Sequence, residues 1–306
     1  MKLNPRQLEA VNYLRGPLLI AAGAGSGKTR TLVSRLIKLL ESGVPPKNII
    51  AVTFTNKAAN EMRERVEQFI NSSTPFIGTF HSLGARILKR EARLLKRTPL
   101  FSIFDNDDSL SLIKKVIKEL EFEARSKAGA ISNEISRVKN MLLVPEETLE
   151  PRVLEVFERY ERLMVKNNAF DFDDLIEKVV WLFKKFPPVL EKYRERFQYI
   201  LIDEYQDVNP AQYELVRLLA EKHKNLSVVG DDAQSIYRFR GSDFSNFLNF
   251  EHDWPGAKIV LLEENYRSTR NIIAAASELI KNNQFQRPKN LWTENPGGEP
   301  ISVVRA

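Results

Sequence analysis

Residues 17–31 read Pro-Leu-Leu-Ile-Ala-Ala-Gly-Ala-Gly-Ser-Gly-Lys-Thr-Arg-Thr, and this stretch decides the fold. The apolar run from Leu18 to Ala22 predicts a short buried strand, and leucines at helical spacing after Thr31 predict a helix, so the glycines lie on a strand-to-helix turn. Such a turn directs backbone N–H groups and the positive end of a helix toward phosphates. Lys28 adds a full charge for the β- and γ-phosphates, and the Thr29 hydroxyl is a ligand for Mg²⁺. The stretch therefore predicts a nucleotide-binding loop.

One position of this loop departs from the usual pattern, because Ala22 stands where the first glycine is expected. The alternative is a glycine-rich turn before a surface helix. That alternative does not require Lys and then Thr after the last glycine, whereas phosphate binding does.

Strands alternate with helices on both sides of a long central region. Further strands are predicted at five places, at 49–54, 76–79, 199–204, 226–230 and 257–262. This alternation predicts a parallel sheet with right-handed crossovers, on which ligands bind at the carboxyl ends of the strands. A last strand is predicted at Pro300–Val304.

Composition excludes several classes of chemistry. The chain has 306 residues, a formal net charge of +6 and no cysteine, which rules out disulfides, cysteine-ligated zinc and thiol nucleophiles. The first residues lack the apolar core of a signal peptide, and no apolar run approaches the roughly 20 residues that span a bilayer. We expect a cytoplasmic protein without a membrane partner.

The region from about 84 to 197 predicts long amphipathic helices with scarcely a strand. Its first helix is predicted to carry four arginines on one face, namely Arg86, Arg90, Arg93 and Arg97. A solvated helix face is the usual explanation of such a run, and a stripe that follows nucleic-acid phosphates is the functional one.

Paired acids end the predicted strand at 199–204. Asp203 at this position can reach the shell of a metal ion, and Glu204 can serve as a general base for a water molecule. Acids at a strand end also cap the next helix, but a phosphate-binding loop favours catalysis. After the next strand, Gln234 could sense a γ-phosphate or position water, and Tyr237 and Phe239 could stack on unpaired bases. The alternative is that Ile236 and Phe239 pack in the core.

Several blocks taken together resemble the UvrD/Rep/PcrA family of superfamily 1 DNA helicases. The blocks run in the family's order from the first residues to about Thr293, and they are Gln7 in its Asn-Pro-Arg-Gln context, 22–31, 52–59, 79–82, 171–175, 201–207, 229–241 and 265–269. Ala22 is ordinary in this family. The resemblance implies an α/β fold, a P-loop NTPase (RecA-like) parallel sheet with a large all-helical insertion.

The resemblance also implies roles at the nucleotide, with ATP and Mg²⁺ as cofactors. Gln7 would read the adenine edge, Tyr266 would stack on the base, and Gln234 and Arg267 would contact the γ-phosphate. Lys28, Asp203 and Glu204 would complete the catalytic set, and Thr29 and Asp203 would hold the metal. The remaining ATP-binding positions would be Ala22, Gly23, Ala24, Gly25, Ser26, Gly27 and Arg30.

Single-stranded DNA and its junctions with duplex DNA are the implied partners, and protein partners stay unknown. The residues that would line the DNA path are Phe54, Asn56, Thr79, Phe80, His81, Tyr237, Phe239 and Arg240. Phe239 stands where many relatives carry Trp. His81 could instead be a capping or core histidine.

For the domains, we predict a RecA-like ATP-binding domain in two parts (1–85 and 198–263), a helical insertion (86–197) and the truncated start of a second RecA-like domain (264–306). The family translocates 3′ to 5′ in DNA repair or replication. Since the second-domain blocks are absent and family members are roughly twice this length, we expect a fragment that binds ATP better than it hydrolyses it. Two alternatives stay open: a non-hydrolysing, nucleotide-gated DNA-binding or partner-docking module, and the motor part of a RecB/AddA-type helicase-nuclease.

Overall fold

The structure of the chain is a computed structural model that describes residues 2–70, 73–122, 127–234, 245–283, 286–302 and 304. Its strands are β1 (Leu18–Ala22), β2 (Ile49–Thr53), β3 (Phe76–Thr79), β4 (Ser102–Phe104), β5 (Ala169–Asp171), β6 (Tyr199–Ile202), β7 (Leu226–Gly230) and β8 (Lys258–Leu262). Its helices are α1 (Pro5–Asn12), α2 (Lys28–Glu41), α3 (Asn56–Glu67), α4 (Phe80–Glu91), α5 (Asn106–Glu119), α6 (Ala128–Met141), α7 (Pro145–Thr148), α8 (Pro151–Lys166), α9 (Asp174–Lys185), α10 (Pro187–Arg196), α11 (Pro210–Ala220), α12 (Ser245–Leu248), α13 (Phe250–Asp253) and α14 (Arg270–Ile280).

The chain divides into two compact units. The sheet unit comprises Met1–Gly78, Arg194–Val208 and Ala220–Ala306, and the helical unit comprises Thr79–Tyr193 and Asn209–Leu219. Residues 264–306 therefore group with the sheet unit. Across the described residues, every helix is too short or too polar to cross a membrane.

A six-stranded sheet forms the centre of the sheet unit, in the order β3-β2-β6-β7-β1-β8. β1 runs parallel to β7 and β8, and β6 runs parallel to β2 and β7, as the alternation of strands and helices predicts. β1, β2 and β7 are buried along their whole length, which is typical of parallel strands covered on both faces. The carboxyl ends of these strands consequently meet at one edge of the sheet.

The helical unit has its own apolar core and is mainly α-helical, as predicted. Its core residues come chiefly from α5, α6 and α8. It also contains β4 and β5, a short parallel pair that the sequence did not predict, because three-residue strands carry too little periodicity. α4 packs closely on α9 at Gly84, where a Cβ atom would lie 1.8 Å from the backbone oxygen of Leu175.

The predicted arginine face is wrong for its last member. α4 ends at Glu91 and a short 3₁₀ turn follows, so Arg97 does not continue the helix. Its side chain turns inward, where its Nε donates to the backbone oxygen of Ala169 at 3.0 Å and its guanidinium lies 4.3 Å from the Phe170 ring centroid. The strand predicted at Pro300–Val304 is also wrong, because the described residues of this segment pair with no other strand.

Candidate nucleotide-binding site

The loop between β1 and α2 has the conformation that phosphate binding requires. Gly25 and Gly27 have φ angles of 66° and 81°, in the left-handed region that favours glycine. Ser26 closes the loop on itself, since its backbone N–H and its hydroxyl both donate to the backbone oxygen of Gly23, at 3.3 and 2.7 Å. α2 begins at Lys28, so its positive N-terminal end faces this loop.

The two predicted acids lie next to the loop, directly after β6. The Thr29 hydroxyl donates to Oδ2 of Asp203 at 3.3 Å, and Lys28 Nζ lies 3.5 Å from Oε2 of Glu204. The backbone N–H of Asp203 donates to the backbone oxygen of Val52 at 2.9 Å, which holds this acid at the sheet edge. The structure thus brings together the Lys, Thr, Asp and Glu that the sequence selects from two distant segments.

Uncompensated negative charge accumulates at Asp203. Burial, and then the neighbouring charge of Glu204, raise the pKa of Asp203 to about 6, and Lys28 only partly opposes this. A site with surplus negative charge and hard oxygen donors, the Asp203 carboxylate and the Thr29 hydroxyl, suits Mg²⁺. The residues present therefore fit the metal that the sequence predicts.

The raised pKa of Asp203 predicts how the stability of an Asp203→Asn variant depends on pH when nucleotide and Mg²⁺ are absent. Because the folded pKa exceeds the unfolded one, ionised Asp203 costs stability above pH 6, and this cost is relieved as the pH falls through 6. We expect the variant to gain about 1–3 kcal/mol at about pH 7.5 and to lose this advantage toward about pH 4. Thermal melts across this range measure it, and an effect independent of pH would contradict it.

Gln206 is a site residue that sequence reasoning missed. Its side chain is buried, and its Nε2 donates to Oε2 of Glu204 at 3.0 Å and to Oδ2 of Asp207 at 3.2 Å. Its Oε1 accepts from the backbone N–H of Asp231 at 3.0 Å. The available signal was its position two residues after Glu204, in the stretch already selected. Gln206 consequently holds the candidate general base from the side of β7.

The side-chain amide of Gln234 is hydrogen-bonded to Asp231. Gln234 follows β7, and its Nε2 donates to Oδ2 of Asp231 at 2.7 Å, while the residue itself is exposed. A γ-phosphate contact, as the resemblance implies, would require this amide to exchange Asp231 for the phosphate.

Gln7 and Tyr266, the predicted adenine contacts, are linked through Asn4. Gln7 is buried, its Oε1 accepts from the Asn4 backbone N–H at 3.0 Å, and its Nε2 donates to the backbone oxygen of Ser26 at 3.0 Å. The Asn4 side-chain amide donates to the Tyr266 hydroxyl and to Glu264, each at 2.8 Å. Gln7 is thus tied to the phosphate-binding loop itself.

The segment after β8 lies on the same loop. The Asn265 side-chain amide donates to the backbone oxygen of Ala24 at 2.5 Å, and the Tyr266 backbone N–H donates to that of Gly25 at 3.0 Å. Asn265 Oδ1 also accepts from the backbone N–H of Arg267 at 2.8 Å. The Arg267 side chain is exposed beside the loop. Arg30 lies half-buried in the first turn of α2.

The predicted DNA contacts divide between the two units and are described for each. In the sheet unit, Phe54 is half-buried and Asn56 is exposed at the start of α3. In the helical unit, Thr79 caps α4 by accepting from the Ser82 backbone N–H at 3.2 Å. Tyr237, Phe239 and Arg240 lie outside the described residues.

Two neighbouring rings at the start of α4, those of Phe80 and His81, are buried and half-buried respectively. Phe80 is 2% exposed and packs in a core, so it presents no ring face to a base in this structure. His81 is half-buried, and its ring meets the exposed ring of Phe172 edge-on at 5.7 Å between centroids. Burial lowers the pKa of His81 and the Asp173 carboxylate opposes this, so the imidazole is neutral at pH 7.

Comparisons with known proteins identify the family and the relatives to which this chain is similar. Residues 3–255 match the family model described as the UvrD/REP helicase N-terminal domain. The chain is 50% identical, over 318 residues, to a protein of Bacillus subtilis (strain 168) named ATP-dependent DNA helicase PcrA, covering 99% of this chain and 42% of that protein. Proteins of the same name from Staphylococcus epidermidis (strain ATCC 35984) and Staphylococcus aureus (strain Mu50) are each 49% identical over 319 residues, covering 99% of this chain and 43% of each relative. The chain spans less than half the length of these relatives.

Proposed function

The chain belongs to the UvrD/REP helicase family, whose N-terminal domain it matches over most of its length, and on this premise we propose that it is the ATP-binding and DNA-contacting part of an ATP-dependent DNA helicase. The observation that carries the proposal is the meeting of Lys28, Thr29, Asp203 and Glu204 at one sheet edge. The motor would translocate 3′ to 5′ along single-stranded DNA, acting at its junctions with duplex DNA in repair or replication. We propose a cytoplasmic location, where such DNA lies.

The proposed reaction is hydrolysis of the γ-phosphate of ATP. The loop N–H groups and Lys28 bind the β- and γ-phosphates, and Thr29 and Asp203 would hold Mg²⁺, which neutralises phosphate charge when bound. Glu204 orients a water molecule and takes up a proton from it as the water oxygen attacks the γ-phosphorus. The bond between the γ-phosphorus and the bridging oxygen breaks, and this oxygen leaves with ADP. Lys28 and the loop then stabilise the charge left on ADP.

The proposed domain organisation keeps the sequence prediction, with residues 264–306 as the start of a second RecA-like domain. In the described segment, Asn265 to Arg267 lie on the phosphate-binding loop, which supports a role for this segment in responding to nucleotide. The proposed DNA contacts remain Phe54, Asn56, Thr79, Phe80, His81, Tyr237, Phe239 and Arg240.

Lys28→Ala tests the nucleotide site. Losing a charge-assisted contact should cost about 1.5–3 kcal/mol, or roughly 10- to 150-fold in ATP affinity. Fluorescent-nucleotide titration measures the affinity, and steady-state hydrolysis with and without single-stranded DNA measures the coupling. The matched control is Lys38→Ala on the exposed part of the same helix, which should change neither.

The outcomes separate the proposal from its main alternative. Hydrolysis that single-stranded DNA stimulates and Lys28→Ala abolishes supports the helicase proposal. Nucleotide binding that alters DNA affinity without hydrolysis would instead support a nucleotide-gated DNA-binding module. Equal ATP affinity in Lys28→Ala and the parent chain would contradict both.

A further inference from the structure

Lys289 is a buried cation that no role discussed so far includes. Its side chain is 6% exposed, and its Nζ donates to Oδ1 of Asp231 at 3.1 Å and to Oδ1 of Asp232. These two carboxylates are 3% and 0% exposed, so the three groups form a buried ion triad at the carboxyl end of β7. A buried charge of this kind is costly to keep and gains little stability over apolar packing, which points to a positional role.

Asp231 contacts Lys289 and also the side-chain amides of Gln234 and Gln206. Its Oδ1 accepts from Lys289, while its Oδ2 accepts from the Gln234 side chain at 2.7 Å. Its backbone N–H donates to Oε1 of Gln206 at 3.0 Å. The close approach of Gln206 requires Gly230, where a Cβ atom would lie 2.4 Å from Gln206 Oε1.

The chain of contacts ends at the candidate catalytic groups. Gln206 Nε2 donates to Oε2 of Glu204 at 3.0 Å, and the same oxygen lies 3.5 Å from Lys28 Nζ. A continuous set of polar contacts within the sheet unit therefore joins Lys289, Asp231, Gln206, Glu204 and Lys28.

Neighbouring residues hold Lys289 in place at both ends of its segment. The backbone N–H of Arg287 donates to Oδ2 of Asp232 at 2.5 Å, and its guanidinium donates to Glu251 at 2.7 Å. On the other side, Leu291 lies against Gly23 of the phosphate-binding loop, where a Cβ atom would be 2.2 Å from Leu291 Cδ2. The segment thus connects the end of β7 with the loop.

We propose that Lys289 is a positioning residue of the nucleotide site. By fixing Asp231, whose carboxylate accepts from Gln234 and whose backbone N–H donates to Gln206, it sets both glutamine side chains and, through Gln206, that of Glu204. The expected effect on ATP hydrolysis rests on the proposed function. The positioning of the two glutamine side chains does not depend on that function. Without Lys289, the two buried carboxylates repel each other, and the repulsion is relieved only when one turns away or binds a proton. Either change at Asp231 moves or weakens the acceptor that orients Gln234.

The positioning is tested directly in the full chain by NMR. Selective ¹⁵N-glutamine labelling reports the side-chain amides of Gln234 and Gln206, assigned with Gln234→Ala and Gln206→Ala. We expect Lys289→Met to shift both amide signals, and Lys289→Arg to restore them largely. The matched control is Lys281→Met, which removes an exposed lysine and should shift neither signal. Unchanged signals in a folded Lys289→Met chain would overturn the proposal.

Loss of the positioning should lower the turnover of ATP more than it lowers ATP affinity. We expect Lys289→Met to lower kcat for ATP hydrolysis roughly tenfold while ATP affinity changes less than about threefold, and Lys289→Arg to recover most of the turnover. Equal turnover in Lys289→Met and the parent would refute the positioning role. If Lys289→Met does not fold, Lys289→Met combined with Asp232→Asn removes the repulsion that opposes folding but still leaves Asp231 without the cation that fixes it, so both amide signals should still shift. A parent chain that neither binds nor hydrolyses ATP would contradict the proposed function, and the amide signals would then decide the positioning role alone.

Discussion

Replacement of Glu204 by glutamine is expected to lower the rate of ATP hydrolysis by about 10²- to 10⁴-fold, the contribution of a well-placed general base. The amide keeps the size of the carboxylate and can still accept from Gln206 and Lys28, so the local structure should persist. It cannot take the proton of the attacking water. Single-turnover hydrolysis of radiolabelled ATP, with single-stranded DNA present, measures this loss.

ATP affinity separates the expected chemical effect from a structural one. Glu204 makes no predicted phosphate contact, so affinity should stay within about threefold of the parent chain, which identifies the loss as one of transition-state stabilisation. Glu41→Gln serves as the matched control, because Glu41 is exposed at the end of α2. A Glu204→Gln chain that keeps more than about a tenth of the parent rate would show that another group accepts the proton.

The local parts of this site could be predicted from the sequence, since each depends on residues close together in the chain. The apolar run at Leu18–Ala22 and the glycines after it define a strand and a loop without reference to any other segment. β3 and β7 occupy the residues predicted for them for the same reason. The parallel order of the strands follows from their alternation with helices.

The contacts that could not be predicted join residues far apart in the chain. Lys289 lies 58 positions after Asp231, and nothing in either local stretch indicates that they meet in the interior. Gln206 was likewise missed because its importance depends on Asp231, which follows β7 and lies 25 positions later in the chain. Such pairs are set by how the elements pack, which periodicity does not report.

Phe80 carries two signals that point in different directions. The family resemblance implies a DNA contact, and this stays a prediction. Phe80, Leu83, Ile87 and Leu88 nevertheless recur at helical spacing and are all buried, so they form one apolar face of α4. The periodicity alone would have placed Phe80 in the core.

Replacement of Lys139 by methionine is expected to lower the free energy of unfolding of the helical unit by about 3–5 kcal/mol, the usual cost of removing one partner from a buried ion cluster. Lys139 is 2% exposed, and its Nζ contacts Glu161 at 2.8 Å, Asp171 at 2.7 Å and Asp174 at 2.8 Å. Burial alone would lower the pKa of Lys139, but these carboxylates outweigh it and hold the pKa well above its ordinary value. Thermal melting should show a fall of roughly 10 °C or more for this unit.

Two further variants identify the cause of the loss. Lys115→Met removes an exposed lysine from α5 of the same unit and should melt within about 2 °C of the parent. Adding Glu161→Gln to Lys139→Met removes one of the carboxylates that Lys139 no longer balances, while Lys178 still contacts Glu161 at 2.8 Å in the parent chain, so the double variant should recover part of the melting temperature. A double variant that is less stable than Lys139→Met would show that packing, not charge, determines the loss.

The pH dependence of this loss follows from the same charges. In the parent chain burial would raise the pKa of Glu161, but Lys139 and Lys178 more than reverse this, so its pKa lies below the ordinary value and its ionised form stabilises the fold down to low pH. Burial already raises the pKa of Asp174 to about 7 in the parent chain. In Lys139→Met, Glu161 and Asp174 lack this cation and their pKa values rise, so they cost stability at neutral pH and are relieved by protonation as the pH falls. The difference in melting temperature should therefore be largest near pH 7.5 and shrink toward about pH 5. A difference that stays constant over this range would mean that the cluster does not act through its charges.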